Sequence, residues 1–267
     1  MRRLSQSRGT STNQPRPATT RRPKLRLLLT SATSDFGRSV AGLLAPDNDL
    51  VLTDLSEHAK GHEHVITCDL GDDDSTDRLV DGIDGIVHIG YGGHFASASD
   101  LLDQHTRCTY NLLTAARSAG VPRFINLSTL KLLSDYPENL TVTENWRSTP
   151  SVEPVILSAH LSEYVCREFG REGGIKIANL RLGFPLVDGD TAAAVASGST
   201  AALAGDDLRT ALNAALIADL AAGAQSAGSP HPASFRTIHV QSPIPNRRFL
   251  LKGAASILGL WKGQGVA

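Results

Sequence analysis

The segment LRLLLTSATSDFG, residues 25–37, decides the fold of this chain. A short apolar run, Leu25–Leu29, leads into a turn of small and polar residues, and apolar positions then recur at helical spacing from Phe36 to Leu44. Strand, tight turn and helix in this order begin a βαβ unit, in which backbone N–H groups at the start of the helix point at a bound phosphate. The segment therefore predicts a dinucleotide-binding loop at Thr30–Gly37.

Apolar runs of strand length alternate with amphipathic segments of helix length along the rest of the chain. This alternation is typical of a parallel sheet covered by helices. We predict an α/β fold, a Rossmann-like doubly wound parallel sheet with a small C-terminal appendage over residues 183–267. The predicted strands are Leu25–Thr30, Leu50–Thr53, His64–Thr67, Gly85–Ile89, Arg123–Leu127, Ile175–Leu182 and Thr237–Val240. The predicted helices are Phe36–Leu44, Thr76–Val80, Leu101–Ala119, Ser158–Glu172, Asp207–Ala222 and Gly253–Leu258, and Asp190–Gly205 is expected to be a linker or a poorly ordered loop.

The first 24 residues differ from the rest of the chain in composition. They carry seven basic side chains, no acidic one and almost no apolar one, and such a segment cannot offset the entropy lost on ordering. We expect a disordered basic tail over residues 1–24 and a single domain over residues 25–267. Because the remainder is acidic, a nucleic-acid partner is not expected.

The cysteines and the hydropathy of the sequence indicate the cellular compartment in which the protein is expected. Cys68, Cys108 and Cys166 are far apart and form no CxxC pair, which fits a reducing environment. No stretch approaches the apolar length that spans a bilayer. We therefore expect a cytoplasmic protein without a membrane partner.

Two groups of potential metal ligands are weak candidates. His58, His62 and His64 lie in a polar loop and lack a carboxylate or cysteine that would complete a tetrahedral site. Asp72–Asp74 lacks calcium-loop spacing and is better placed to cap the helix that follows, near Thr76. No metal is expected.

The candidate dinucleotide loop departs from the glycine-rich pattern. Where glycine is expected, the chain has Ser31 and Ser34, and only Gly37 remains. Serine keeps the backbone N–H but adds a side chain where the backbone approaches the phosphate, and it resists positive φ. Asp54 follows at the spacing of an acid that takes ribose hydroxyls, and its charge would repel a 2′-phosphate, so NAD is favoured over NADP. The alternative is an ordinary strand-to-helix turn, with Asp54 as a strand-end cap.

Several further motifs follow this loop in order. With them, the chain resembles the extended short-chain dehydrogenase/reductase family, also called NAD-dependent epimerases/dehydratases, from about Leu25 to Lys262. Within that family it is most similar to the uronate dehydrogenase-like sugar oxidoreductases. The motifs are CDL at Cys68–Leu70, DGIVHIG at Asp84–Gly90, TYNLLTAAR at Thr109–Arg117, VPRFINLST at Val121–Thr129, SAHLSEY at Ser158–Tyr164 and NLRLGFP at Asn179–Pro185.

The resemblance implies further site residues. It places Asp69 by the adenine, Gly90 and Tyr91 along the cofactor after the fourth strand, and Asn111 as a support from the long helix. Thr129 falls where the family has its catalytic Ser or Thr. Ordinary roles for Asp69, as a turn cap, and for Asn111, on a solvated helix face, stay open. The expected cofactor set is Thr30, Ser31, Ser34, Asp35, Phe36, Gly37, Asp54, Asp69, Leu70, Gly90, Tyr91 and Asn111.

The resemblance also reveals a missing proton relay. Family members carry Tyr-x-x-x-Lys on the helix after the fifth strand, and residues four apart share a helix face, so the lysine can lower the pKa of the tyrosine. The segment PVILSAHLSE, residues 154–163, puts Val155 at the tyrosine position and Ala159 at the lysine position. Since a positioned acid or base typically contributes about 10²–10⁴-fold in rate, family chemistry should be severely impaired. The tyrosines Tyr91, Tyr110, Tyr136 and Tyr164 all lack a lysine four residues on.

Two nearby groups could substitute for the relay. His160 has a side chain that titrates near neutrality, and Lys131 lies two residues past Thr129. The candidate catalytic residues are therefore Thr129 and His160.

Three functions follow as alternatives. The first is an NAD-binding protein with lost or much reduced redox catalysis, acting as a sensor, regulator or partner subunit. The second is an active sugar or uronate oxidoreductase or epimerase with an unconventional acid or base, and the third is a structural or interaction protein that binds no nucleotide. The resemblance implies a sugar-like small molecule as a second ligand, and a homodimer through helices 101–119 and 158–172.

Overall fold

The computed structural model describes residues 23–93, 95–221 and 234–263. Three sequence predictions are only partly covered by these ranges. The parts outside the described residues are residues 1–22 of the predicted basic tail, Ala222 at the end of a predicted helix, and residues 222–233 and 264–267 of the predicted C-terminal appendage.

Seven strands form one sheet in which every pairing is parallel. Their order is β3-β2-β1-β4-β5-β6-β9. The order reverses between β1 and β4, and ligands bind in the crevice that such a reversal opens at the carboxyl ends of the strands. The predicted α/β, Rossmann-like doubly wound fold is confirmed. The strands are β1 Arg26–Leu29, β2 Asp49–Asp54, β3 Val65–Thr67, β4 Gly85–Ile89, β5 Arg123–Thr129, β6 Lys176–Leu182 and β9 Phe235–Val240, and a separate pair consists of β7 Leu186–Val187 and β8 Leu203–Ala204.

Helices cover both faces of the sheet. Leu27 and Leu29 of β1 pack into the cluster on one face, whereas Leu28 packs into the cluster on the other. A strand segment buried on both faces is apolar at successive positions, which explains the unbroken run Leu27–Leu29 in the opening segment. No helix in the described ranges is long and apolar enough to cross a membrane. The helices are α1 Asp35–Leu44, α2 Ser56–Ala59, α3 Asp73–Leu79, α4 Ala98–Gln104, α5 Arg107–Ser118, α6 Pro154–Glu172, α7 Thr191–Ala196, α8 Gly205–Ile217 and α9 Lys252–Ser256.

The single helix predicted over Leu101–Ala119 was wrong, because the structure has two helices there, α4 and α5. The break falls at His105 and Thr106. The His105 ring bonds to the Gly92 carbonyl, with 2.8 Å between Nε2 and the oxygen, and the Thr106 hydroxyl donates to the Leu102 carbonyl at 2.6 Å. Side chains that bind main-chain groups in this way compete with the helical hydrogen-bond pattern.

Helices α3 and α6 begin earlier than predicted because side chains cap them. Asp72 caps α3 by accepting the Ser75 amide proton at 3.1 Å, as predicted for the aspartate run. The Glu153 carboxylate accepts the amides of Val155 and Ile156 at 3.1 and 2.9 Å. Each cap satisfies amides that lack a partner inside the helix.

The prediction of a linker or poorly ordered loop over Asp190–Gly205 was also wrong. Asp190 caps α7 through the amides of Ala192 and Ala193, and β8 pairs with β7 in parallel. The small side chains permit close packing, since a Cβ at Gly183 would lie 2.3 Å from the Ala201 carbonyl oxygen. A composition rich in alanine and glycine here serves tight packing.

Candidate functional site

The loop between β1 and α1 keeps its tight geometry although serine replaces glycine twice. Ser31 adopts a left-handed conformation with φ of 49°. The Ser34 amide and hydroxyl both donate to the Ser31 carbonyl, at 3.2 and 2.8 Å. A Cβ at Gly37 would lie 2.1 Å from that same oxygen. The loop therefore sits directly against the helix, and only glycine fits at position 37.

Two amides at the start of α1 are available to an anion. The N–H groups of Asp35 and Phe36 have no hydrogen-bond partner within the described part of the chain. The Gly37 amide, in contrast, donates to the Ser34 hydroxyl at 2.9 Å. The helix dipole favours negative charge at this end. Two free amides and a glycine against which the loop packs fit a pyrophosphate, with one donor fewer than an uncapped helix would offer.

The Asp54 carboxylate is buried and already engaged in four hydrogen bonds. One oxygen accepts the Thr33 amide and hydroxyl at 2.9 and 2.7 Å. The other accepts the Leu55 amide at 2.9 Å and lies 3.3 Å from Nδ1 of His58. A ribose hydroxyl at this carboxylate would have to share its oxygens with Thr33 or displace His58.

A cavity of about 160 Å³ lies beside this carboxylate. It unites three residues predicted as cofactor contacts, Ser31, Ser34 and Asp54. His58 and His62 also line it, although sequence reasoning did not assign them to the site. A signal existed, because His58 follows Asp54 by four residues, a spacing that one helical turn closes. The other lining residues are Thr33, Gly93 and Phe95.

A neighbouring cavity of about 190 Å³ joins the start of α1 to the loop after β4. It is lined by Asp35, Phe36 and Tyr91, all predicted cofactor contacts. The rings of Phe36 and Tyr91 lie 6.0 Å apart, and burial raises the pKa of Tyr91 to about 12, so this phenol stays protonated. Gly90 has a packing role, since a Cβ there would lie 2.1 Å from Oδ1 of Asn126.

Other predicted cofactor residues lie outside these two cavities. Asp69 is exposed and accepts the Gly71 amide at 2.7 Å. Leu70 is buried in the core, and its carbonyl accepts the Asn111 side-chain amide at 3.2 Å. Thr30 is fully buried, and its hydroxyl oxygen accepts the Ile89 amide at 3.1 Å. These contacts brace the loops around the cavities.

The catalytic candidate Thr129 ends β5 and begins a 3-10 turn. Its hydroxyl oxygen accepts the Lys131 amide at 3.2 Å. Lys131 lines a third cavity, of about 270 Å³, together with Ser134, Ile156 and Phe184. The Lys131 ammonium lies 5.6 Å from the centre of the Phe184 ring. The geometry offers a cation, Lys131, at the carboxyl end of β5, with the Asp135 side chain in the lining of the same cavity.

Val155 and Ala159, the positions inferred for the family's tyrosine and lysine, lie one turn apart on α6. Val155 faces the loop after β4, because a Cβ added at Gly92 would lie 3.8 Å from its Cγ1. Ala159, one turn later, is fully buried. His160 points elsewhere. Its Nδ1 lies 3.0 Å from the Ser148 hydroxyl, in a cavity that Lys131 does not line.

Two buried histidines near the site were missed by sequence reasoning. The His88 ring lies 2.9 Å from the Thr30 hydroxyl and 3.0 Å from the Thr109 hydroxyl. Burial lowers the pKa of His88 to about 3 and that of His105 to about 4, so both rings are neutral near pH 7. His105 holds the Gly92 carbonyl in the loop after β4, and His88 links the end of β1 to α5 through Thr30 and Thr109. No local pattern distinguishes such histidines from solvated ones.

The described residues contain no group of three or more histidine, cysteine, aspartate or glutamate side chains placed to hold a metal ion.

The chain is similar to known proteins in sequence and in fold. The model of the NAD dependent epimerase/dehydratase family matches residues 37–194. Uronate dehydrogenase of Pseudomonas syringae pv. tomato is 30% identical over 169 residues, which are 62% of this chain and 61% of that protein. The match thus spans about three fifths of this curated relative.

Solved structures share the fold. Glucuronic acid dehydrogenase from Chromohalobacter salexigens has a TM-score of 0.68 at 22% identity, covering 88% of this chain and 83% of that one. A mutant uronate dehydrogenase from Agrobacterium tumefaciens, complexed with NAD, has a TM-score of 0.70 at 22% identity, covering 89% and 84%. At this identity the likeness establishes the architecture alone.

Proposed function

The chain belongs to the NAD-dependent epimerase/dehydratase family, and from this premise we propose that it binds NAD but has lost most or all of the family's redox catalysis. The observation that carries the proposal is the pair Val155 and Ala159. Both lie on α6 at the register where the family has its tyrosine and lysine, and neither has a group that can hold or move a proton. Such a protein would act as a sensor, a regulator or a partner subunit, with a sugar-like molecule as its second ligand.

Binding is supported by the start of α1. The free amides of Asp35 and Phe36 would hold the pyrophosphate, and Asp54 would face the adenosine ribose. The negative charge of Asp54 disfavours a 2′-phosphate, so NAD is preferred over NADP. When bound, NAD supplies a hydride acceptor. A related protein complexed with NAD shares this fold.

Calorimetry with NAD tests the binding half of the proposal. We expect a Kd of about 10 µM to 1 mM, since the loop offers fewer donors than a glycine-rich one. NADP should bind more weakly. Absence of heat at NAD concentrations of several millimolar would overturn the binding claim.

A matched pair of glycine variants locates the site. In Gly37→Ala the new Cβ would meet the Ser31 carbonyl and shift the loop, so NAD affinity should fall at least tenfold. Gly42 lies in the same helix, and a Cβ added there would have nothing within 4 Å. Gly42→Ala should therefore leave NAD affinity unchanged. If both variants change NAD affinity equally, the nucleotide does not bind at the β1–α1 loop.

The catalytic half is tested by NADH formation with uronic acids and aldoses. We expect turnover near background for the natural chain. Restoring the pair in Val155→Tyr/Ala159→Lys should raise turnover by about 10²-fold or more, whereas either single change should not. Circular dichroism must confirm that the buried lysine leaves the fold intact.

Robust turnover by the natural chain would contradict the loss of catalysis. Its dependence on His160, measured in His160→Ala, would then favour an active oxidoreductase or epimerase with an unconventional base. Unchanged turnover in that variant would remove His160 from any mechanism.

A second candidate function is a protein that binds no nucleotide. It is favoured by the full set of hydrogen bonds at Asp54 and by the Ser34 hydroxyl, which occupies the Gly37 amide. A folded, dimeric protein that is silent in NAD calorimetry would support this candidate.

A further inference from the structure

A charged cavity of about 480 Å³ lies between α6 and the edge strand β9. The chain segment 144–148 borders it together with His160 and Arg167 of α6 and Arg181 of β6. None of its lining residues borders the three cavities described above. We call it the α6–β9 cavity.

The carboxylates of this cavity already have partners. Glu163 accepts from Nη2 and Nε of Arg181, at 2.7 and 2.9 Å, and from the Ser128 hydroxyl at 2.5 Å. Glu144 accepts the Gly253 amide at 2.8 Å. The negative groups are therefore engaged with the protein itself.

Arginines outnumber carboxylates around this cavity. Arg147 and Arg167 are both exposed at the cavity. The Arg167 guanidinium lies 4.5 Å from the centre of the Tyr164 ring and only 3.5 Å from Glu168. Glu163 pairs with Arg181, and Glu168 is shared between Arg167 and Arg171, which lies 2.8 Å from it. With Glu144, three carboxylates therefore stand against four arginines, Arg147, Arg167, Arg171 and Arg181, and an anion would be attracted here.

Arg181 provides an independent sign of a missing partner. Its side chain is 7% exposed, and its Nη1 is buried without a hydrogen-bond partner. A buried donor left unsatisfied is costly, and such groups in a folded protein call for an explanation. Arg181 lines the cavity, so a small shift of the side chains around Nη1 would let a ligand oxygen in the cavity satisfy it.

We propose that the α6–β9 cavity is a second ligand site, which binds a small organic anion bearing a carboxylate or a phosphate. Arg147 and Arg167 attract the anion, and Nη1 of Arg181 donates to one of its oxygens. Planar guanidinium groups match both kinds of oxyanion. The Ser148 hydroxyl, at the cavity wall, offers a neutral polar contact. The volume suits a molecule of a few carbon atoms.

Thermal-shift and calorimetric titrations test this site on the full chain, with sodium gluconate as the carboxylate probe and glucose 6-phosphate as the phosphate probe. Glucose is the uncharged control. We expect one or both anions to bind with a Kd of about 1 mM or below, and glucose not to bind. The preferred anion distinguishes the two ligand classes.

Variants tie the binding to the cavity. Arg147→Gln/Arg167→Gln should weaken the bound anion at least tenfold. Arg78→Gln removes an exposed arginine of α3, outside the cavity, and should leave affinity unchanged. Both changes are at the surface and should preserve the fold. Failure of both anions to bind at about 20 mM, or equal loss in Arg78→Gln, would overturn the proposal.

The NAD site is independent of this test. Saturating NAD should change the anion affinity by less than twofold if the two ligands occupy separate places. Mutual exclusion would mean that the anion had bound at the α1 loop, and would likewise refute the assignment. Anion binding is expected whether or not the chain binds NAD.

Discussion

Two buried histidines should make the stability of this protein depend on pH. Burial lowers the pKa of His88 to about 3 and of His105 to about 4, below the value of 6.5 in the unfolded chain. Between these values the unfolded state binds protons that the folded state does not. The free energy of unfolding should therefore fall as pH drops from about 6.5 towards 4, by about 3 kcal/mol for His105. Urea denaturation between pH 7 and pH 4.5 measures this slope.

A variant isolates the contribution of one ring. His105→Gln keeps a side-chain N–H that can reach the Gly92 carbonyl but does not titrate, so the slope should become flatter. His64→Gln changes an exposed histidine and should leave the slope as it is. If the pH dependence of the free energy of unfolding is the same in His105→Gln as in the natural chain, the His105 ring is not held neutral by burial.

Ser31 is expected to carry backbone strain. Its φ of 49° is in the left-handed region, which costs a residue with a Cβ about 1–2 kcal/mol. Glycine avoids this cost. It also raises the conformational entropy of the unfolded chain, which lowers the free energy of unfolding by about 0.4–1 kcal/mol. Ser31→Gly should therefore raise the free energy of unfolding by about 0.5 kcal/mol, measured by chemical denaturation.

Ser39→Gly provides the contrast, because Ser39 lies within α1. Glycine there should lower the free energy of unfolding by about 0.5 kcal/mol. If both serine-to-glycine changes destabilise the protein alike, the left-handed geometry at Ser31 is not strained.

At the scale of elements, the proposed phosphate site predicts that the N-terminus of α1 sets the affinity for NAD. The Ser34 hydroxyl now accepts the Gly37 amide. Ser34→Gly removes this cap, frees a third amide, and should tighten NAD binding by about threefold to tenfold while lowering stability by only a few tenths of a kcal/mol. Calorimetry and denaturation of the same samples separate the two effects.

An acidic cap gives the opposite result. Ser34→Asp can still accept the Gly37 amide but places a carboxylate beside the phosphate, so NAD affinity should fall below that of the natural chain. Unchanged affinity in both variants would mean that the pyrophosphate does not reach this helix.

The elements that the sequence predicted well are those with local signals. Strand β1 and helix α1 follow from the apolar pattern of residues 25–44, and Gly85–Ile89 is the predicted strand at both ends. The break at His105 depends on a contact with Gly92, thirteen residues away in the chain, which no local pattern contains. Helix α7 was missed although it has local signals, since Asp190 caps it and alanine favours helix.

The candidate site was predictable to the same extent. The phosphate loop and Asp54 were placed from motif and spacing, and the structure gathers them around one cavity. The hydrogen bonds by which Thr33 and His58 already occupy the Asp54 carboxylate were not predicted, because they depend on side-chain orientation. The α6–β9 cavity was missed altogether, since Arg147, Arg167 and Arg181 meet only after three separate elements have packed.

At the scale of the whole molecule, an aromatic surface on α5 and α6 predicts self-association. Tyr110 is 55% exposed and Tyr164 is 51% exposed. The ring of Tyr110 lies 5.3 Å from that of Phe169, so α5 and α6 pack side by side, and each carries one exposed tyrosine. Large exposed aromatic side chains are enriched where proteins associate. We expect a homodimer in which these two helices pack against their copies.

Sedimentation velocity tests this expectation. The natural chain should sediment as a dimer at micromolar concentration, and Tyr110→Glu/Tyr164→Glu should sediment as a monomer, because two buried carboxylates per chain would face their copies without partners. Ile217→Glu, at a 62% exposed position of α8, should remain dimeric. A monomeric natural chain, or a dimer that survives the tyrosine changes, would contradict the proposed interface. Because α6 carries Val155 as well as the proposed interface, dimerisation would link the candidate sites of the two copies through this helix.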